Sequence, residues 1–505
     1  MSSSTPAAEI RVDGTALPED LSRRLVSIRV ASRLSQPSQC ELAFATWTGA
    51  AAEHDRIPLG ASVSVRMTED SGPLFDGEVT CIELVHAPDG AALTRIRAYD
   101  KLHRLRKRQQ LRVFESVTAE GLAEQLVDDL DLNLEAEESG PEWERIVQDR
   151  QNDLELLVEV ANRAGLYPIV DGDTLRLVTL DGYGQPVPLK LGESLVEARI
   201  EANLDLVGSK VTAYGWHPQN AEVIEQEASS PRSGRSIDLE PDPGDVGGGG
   251  EFFVVDQPGR SDDELAAFAQ ADLDARVGRA VTVSGVANGD AALRAGCRVD
   301  ISELAQPVRG TYVVCEVVHT VDATGYLSKF STEPPRVRPQ PPGASVTLGK
   351  VTAVDGNGRV QVSLPAHGDL DAGWLAVLVP GAGSGKGLVA LPDVDDLVLV
   401  LLPHGVPMAG IVLGSLYGAT EPPDSAGVTD GAVKRWSLRT AEGQSIVVDN
   451  ADKKIRVEND AGSYIELGPN MMQLHAATDL VVEAPGKAIT IKGKSVDFVY
   501  AAGEG

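Results

Sequence analysis

The chain of 505 residues is too long for one ordinary core, and at roughly 100–200 residues per domain it divides into about three or four units. With 42% hydrophobic and 24% charged residues it is neither wholly disordered nor collagen-like; 8 Phe, 9 Tyr and 5 Trp leave Val, Leu, Ile and Ala to fill the interiors, and 51 Gly and 30 Pro supply the turns of a β-rich protein. A net charge of −30 repels phosphate backbones and anionic lipid heads, which argues against nucleic acid as a partner.

The N-terminal stretch MSSSTPAAEIRVDG has neither a basic nor an apolar leader region. Cys40, Cys81, Cys297 and Cys315 are scattered without a CxxC pair. Both features predict synthesis in a reducing cytosol without a signal peptide. The most membrane-like run, Gly373 to Leu391, is broken by Pro380, Lys386 and several glycines, so it is not a spanning helix.

Residues 9–100 alternate apolar and polar positions in short runs (EIRVDG, RLVSIRVAS, CELAFATW, SVSVRM, LFDGEVTCIELVHA, LTRIRAYD), predicting antiparallel strands with one wet face. Thr118 is placed to cap a helix over Ala119–Leu130, with Leu122, Leu126 and Leu130 on one face. Asn152 or Asp153 is placed to cap a second helix that Gly165 ends, and LYPIVDGDTLRLVTL reads as a hairpin turned at Asp171-Gly172.

A second β-rich block covers roughly 185–340, with a polar, glycine-rich loop over 226–250 and a helix capped by Ser261. PPRVRPQPPG is a proline-rich linker. Residues 346–418 carry five or six short strands (LGKVTAV, RVQVSL, WLAVLV, GLVAL, DLVLVLL, MAGIVLG), with a hairpin turn at Asp355-Gly356-Asn357-Gly358, and fit a small barrel of the OB type.

From Gly443 to Tyr500, apolar doublets at i, i+2 recur: Ile446/Val448, Ile455/Val457, Ile465/Leu467, Met472/Leu474, Leu480/Val482, Ile489/Ile491 and Val496/Phe498. Successive doublets start 9, 10, 7, 8, 9 and 7 residues apart, an imperfect repeat of one strand and one turn. A single ribbon of this kind leaves its stripe and its edges bare. It must pack on the rest of the chain or wind with identical copies into a prism, the simplest being three-sided. About seven layers at ~4.7 Å would make a rod on the order of 30–40 Å long. A single-chain solenoid, which needs longer coils, is the rival architecture. Ile446, Val448, Ile455, Val457, Ile465 and Leu467 are the candidate residues of the dry trimer axis.

In this order the parts resemble the VgrG and phage-baseplate spike proteins of contractile injection systems. AYDKLHRLRKRQQLRVFESVTAEGLAEQL (98–126), RQNDLELLVEVANRAGLYPIVDGDTLRLV (150–178), Gly349-Lys350-Val351 with Asp355-Gly356-Asn357-Gly358-Arg359-Val360, and then Trp374, the Gly381–Gly387 loop, Pro392 and DLVLVLLPHGVPMAGIVLGSLYG are similar to that family's segments, and together span nearly the whole chain.

The resemblance implies a mainly β fold: a first hub domain (1–180) and a second (181–333), both β-barrels with inserted helices, a linker (334–345), an OB barrel (346–418), a spacer (419–442) and an intertwined trimeric β-helix or prism needle (443–505). It also implies a homotrimer that nucleates an inner tube, joins baseplate proteins, carries a PAAR-type tip protein and possible effector cargo, and punctures a target envelope as part of a phage-tail-like particle. Neither a C-terminal effector domain nor a lysozyme-like insertion is visible. The sequence also departs from family members that end in His-x-His, since His475 is alone and well before the end.

No motif demands catalysis, a cofactor or a metal. PGAGSGKG (380–387) has three residues, not four, between Gly381 and Gly385-Lys386, and Gly387 where a Walker loop needs Ser or Thr. The Asp355 turn lacks the third oxygen ligand and the bidentate Glu of a calcium loop. The eight histidines show no metal-ligand spacing; in a trimer His475 would form a three-histidine axial site or face outward. The basic residues Lys101, Arg104, Arg106, Lys107, Arg108 and Arg112 are read as intersubunit or baseplate salt-bridge partners, with a solvated face and polyanion binding as alternatives. A glycan-binding or glycan-cleaving β-fibre is the second functional reading.

Overall fold

The alternating segments of the first hundred residues fold as the antiparallel strands they predict. In the computed structural model, which describes residues 8–47, 56–68, 72–86, 88, 91–205, 207–217, 222–257, 261–336, 343–418 and 421–499, the strands Leu25–Arg33, Gln36–Trp47, Ala91–Tyr99, Pro73–His86 and Ser62–Met67 lie side by side in that order. Their inward positions, among them Ile28, Val30, Leu42, Phe44, Val65 and Ile96, make one core.

This sheet continues into the second hub segment. Leu25–Arg33 pairs along its other side with Glu316–Asp322, in a register running from Ile28 opposite Val321 to Arg33 opposite Glu316. Gly325–Ser331, Val281–Asn288 and Leu195–Ala202 extend it further, so eleven strands join the two hub segments into one sheet. Val283, Val299, Ile301, Tyr312, Val317 and Phe330 close a second core.

Between the two halves lies an α/β insert. Thr118 Oγ1 accepts from the Gly121 amide at the start of the helix Ala119–Val127. Asn152 and Glu155 form a reciprocal capping box on the helix Asp153–Arg163. Leu122, Leu126 and Leu130 are buried as their spacing requires, each worth about 2 kcal/mol. Gly165 ends the second helix at φ +70°, a left-handed conformation that favours glycine, and a Cβ there would lie 2.2 Å from Arg232 Nη2 and displace it. That guanidinium donates to the Ala164 carbonyl (3.0 Å) and pairs with Asp274 (2.7 Å) on the helix Asp262–Ala280, tying the insert to the second half. The hairpin turn is Gly172-Asp173, one residue later than Asp171-Gly172, because this two-residue loop takes a positive φ at its first position, where Gly172 (φ +60°) stands.

Ala344–Val354, Arg359–Leu364, Leu370–Val377, Ile411–Leu416 and Leu397–Pro403 close a five-stranded barrel around Val360, Val362, Leu364, Val398, Val400 and Leu402. The expected strand GLVAL is absent. Its Leu388 and Val389 are exposed in a loop where Gly381, Gly385 and Gly387 take positive φ, so an apolar run there finds no pleated neighbour. The proline-rich connection falls between the last hub strand and the first barrel strand, and its residues 337–342 lie outside the described residues, as do Tyr500 and the final AAGEG. Residues 416–505 form a separate unit. Among the described residues no helix is long and apolar enough to cross a membrane. The four cysteines are free thiols, and Cys40, Cys297 and Cys315 are buried.

Two buried titratable groups in the hub oppose each other in pH dependence. His319 places Nε2 3.0 Å from the Leu293 carbonyl and Nδ1 2.9 Å from Ser328 Oγ, an arrangement that suits the neutral ring, and burial pushes its pKa down to about 4. Asp100 accepts from the Ser38 and Leu102 amides (2.6 and 3.1 Å), but burial pushes it up to about 7. For His319 the unfolded chain takes up the proton first, so its contribution is complete above about pH 6.5 and is lost as the pH falls toward 4, on the order of 3 kcal/mol. For Asp100 the folded chain holds the proton longer, so its contribution is complete below the ordinary Asp value and is lost as the pH rises through 7. His319→Gln isolates the first effect: the stability gap between parent and variant, from thermal melts of the hub, narrows by that order between pH 7 and pH 4.

Candidate assembly interface

Residues 435–475 form a five-stranded antiparallel ribbon: Arg435–Arg439, Ser445–Asp449, Lys454–Glu458, Tyr464–Leu467 and Met472–His475, in sequence order. The register aligns two apolar columns across it. Leu438, Ile446, Val457, Ile465 and Leu474 stand opposite one another in turn, and beside them Trp436, Val448, Ile455, Leu467 and Met472. All six residues anticipated for the trimer axis are therefore brought together on one face. Each of them is 42–45% exposed, and Trp436 and Met472 are at least 70% exposed, so the face is left open among the described residues. Covering ten such side chains is worth on the order of 10 kcal/mol per chain or more.

Two outcomes differ from the sequence reading. Trp436 and Leu438 belong to the ladder, although 419–442 reads as a spacer; their i, i+2 spacing and their distance from Ile446 were the available signal. The doublets Leu480/Val482, Ile489/Ile491 and Val496/Phe498 lie in 476–499, which carries no strand. A strand exists only against a hydrogen-bonding ladder, and among the described residues these have none.

The other face is polar. Arg456 pairs with Glu458 (2.9 Å) and with Glu466 on the next strand (3.2 Å), and lies 3.8 Å over the Tyr464 ring. His475 stacks on Tyr464 at 4.9 Å and so sits on the face opposite the apolar columns, not on an axis they would line. The Tyr464 ring is thereby covered and is no free platform for a sugar. Asp449 closes one turn by accepting from the Ala451 and Asp452 amides (2.8 and 2.9 Å), and Asn459 closes the next by accepting from Ser463 (2.7 Å).

The remaining motifs resolve into structure. The basic run forms a 3₁₀ turn, Lys101–Lys107, and most of its cations are paired within the chain, while Lys107 is exposed. Arg104 and His103 meet Glu78, Arg108 meets Asp129 and the buried Asp153, Arg112 meets Asp153 (2.8 Å), and Lys101 meets the Asp131 carbonyl and Asp173. Arg106 lies 5.1 Å over the Tyr99 ring. The Gly381–Gly387 segment is an exposed loop without a helix behind it. Asp355 spends its carboxylate on the Asn357 and Arg359 amides and the Arg359 guanidinium, closing a hairpin. Among the described residues no cluster of His, Cys, Asp or Glu has a metal-holding arrangement.

Comparison with known proteins accounts for most of this architecture. Residues 32–325 match the phage tail baseplate hub (GPD) family, more than half of the chain, and residues 347–417 match the type VI secretion system/phage-baseplate injector OB domain. The chain belongs to the phage tail baseplate hub family. It is a VgrG-like hub protein. The chain is 30% identical over 201 residues to the actin cross-linking toxin VgrG1 of Vibrio cholerae, a match covering 33% of this chain and 18% of that relative's length.

Three solved structures share its fold. A component of the Escherichia coli type VI secretion system, described as similar to the T4 tail proteins gp27 and gp5, has a TM-score of 0.52 at 14% identity, covering 81% of this chain and 100% of that chain. The half-lidded Francisella PdpA–VgrG complex gives 0.54 at 8%, covering 93% and 87%. The 43 kDa tail protein of prophage MuSo2 from Shewanella oneidensis gives 0.51 at 14%, covering 64% and 98%.

The Arg456 network holds the ribbon in register at about 1 kcal/mol. Arg456→Ala is expected to speed amide exchange across 454–475 by several fold while leaving exchange in the hub unchanged, as read by hydrogen-exchange mass spectrometry.

Proposed function

We propose that three copies of the hub close their ribbons face to face into a spike that is driven through a target envelope when a contractile sheath shortens. The observation that carries this is the two-column apolar face, held in register and left open among the described residues. Three such faces meeting on an axis remove it from water and bring further chains to the edges where residues 476–499 lack a neighbour. Axial force then has to break many hydrogen-bonded ladders together.

In this reading the hub segments of three copies form a ring on which an inner tube is nucleated, with other baseplate proteins around it. A PAAR-type tip protein and effector cargo are further proposed partners. The protein's work is mechanical and not enzymatic. It is made in the bacterial cytoplasm, consistent with its free thiols, and acts as part of a phage-tail-like particle.

Val457→Asp puts a charge at the centre of one apolar column. The expected result is loss of trimers in light scattering coupled to gel filtration, with the circular dichroism of the hub retained. A Val457→Asp protein that remains trimeric, or a parent protein that is monomeric at micromolar concentration, overturns the proposal.

A further inference from the structure

Three separate segments of the OB barrel converge on one patch of the hub's α/β insert. The strand Trp143–Gln148 carries Arg145, whose side chain is only 13% exposed. Its Nη2 donates to the Asp371 carbonyl at 2.6 Å and lies 3.3 Å from the Asp371 carboxylate. That carbonyl is available because the strand Leu370–Val377 is bulged: its pairing with Arg359–Leu364 skips a step between Gln361 and Ser363, and the Asp371 carboxylate accepts from the Gly373 amide at 2.8 Å. Gly373 holds φ +77°, and a Cβ there would lie 2.5 Å from Arg145 Nη1. Glycine is thus favoured by the backbone, and a side chain there would push the guanidinium aside.

Just beyond the same strand, Asp149 meets His367 at 3.1 Å, with the two side chains 6% and 11% exposed; Arg150 lies 3.5 Å from the same carboxylate. His367 is followed by Gly368 (φ +69°), where a Cβ would lie 2.3 Å from Leu111 of the insert. The turn Pro407–Ala409, with Pro407 and Met408 buried, abuts the Arg145 strand. Polar pairs shielded from water in this way are costly to break one-sidedly, unlike exposed surface pairs.

We propose that this patch is the seat of the barrel: Arg145 and Asp149 hold it on the hub and set its orientation, and the covalent connection through 334–345 is dispensable for keeping the two together. The seat then transmits force between barrel and hub.

The test replaces residues 337–342 of the full chain with the recognition site of a sequence-specific protease and cuts it. The fragments are expected to co-elute in gel filtration at low micromolar concentration. In the Arg145→Ala/His367→Ala double variant, cut in the same way, association weakens at least roughly tenfold and the fragments separate. Circular dichroism of each separated fragment, unchanged from its counterpart in the parent, shows that separation comes from loss of the seat and not from unfolding. Fragments that part in the parent chain, that stay together in the double variant, or that part only because one has unfolded overturn the proposal. Copy number is read separately by light scattering, so this result stands or falls apart from trimerisation.

Discussion

An antiparallel ribbon satisfies its inner backbone groups by itself, but it cannot bury a side chain without a second layer. The hub segments and the barrel each have that layer, in cores that bring Val, Ile, Leu and Phe to near-zero exposure. The ribbon over 435–475 has none, and its two columns of five apolar residues face outward. Among the described residues no second layer is present over it. An exposed contiguous apolar face of this kind marks an interaction surface and not a finished surface.

The opposite face explains how the columns stay continuous. A slip of one residue in any strand would move its apolar pair to the polar side. Register is pinned from that side by the ion pairs of Arg456 across two strands, and at the ends by turns in which Asp449 and Asn459 accept backbone amides. Charge in this ribbon therefore keeps each strand aligned, so that the apolar residues stay on one face.

Local signals were legible in the sequence where local physics decides the outcome. The caps at Thr118, Asn152 and Ser261, the hairpin at Asp355 and the doublets from Ile446 to Leu474 all follow from side-chain-to-amide bonds or from the period of two. The pairing of Leu25–Arg33 with Glu316–Asp322 carries no such mark, because strand partners distant in sequence share only their alternation. GLVAL satisfied the composition of a strand but lay among glycines with no neighbour to pair with. The basic run 101–112 read as a surface for others because its acidic partners, Glu78, Asp129 and Asp153, are remote in sequence. Trp436 and Leu438 were hidden in a polar spacer, where their strand has a single partner, Ser445–Asp449, on its C-terminal side. The hub-to-barrel seat was invisible for the same reason as the long-range strand pairing: Arg145 and Asp371 have nothing local in common.

The long-range pairing in the hub sheet has a consequence for biosynthesis. Arg33 and Glu316 are 283 positions apart, and the strand Leu25–Arg33 stays one neighbour short until the later segment leaves the ribosome. At roughly 5–20 residues per second that is an interval of about 15–60 s during which a nascent polypeptide displays a bare, hydrogen-bond-hungry edge. Translation speed through the middle of the gene, and chaperone cover over that interval, thereby become determinants of how much hub is recovered intact.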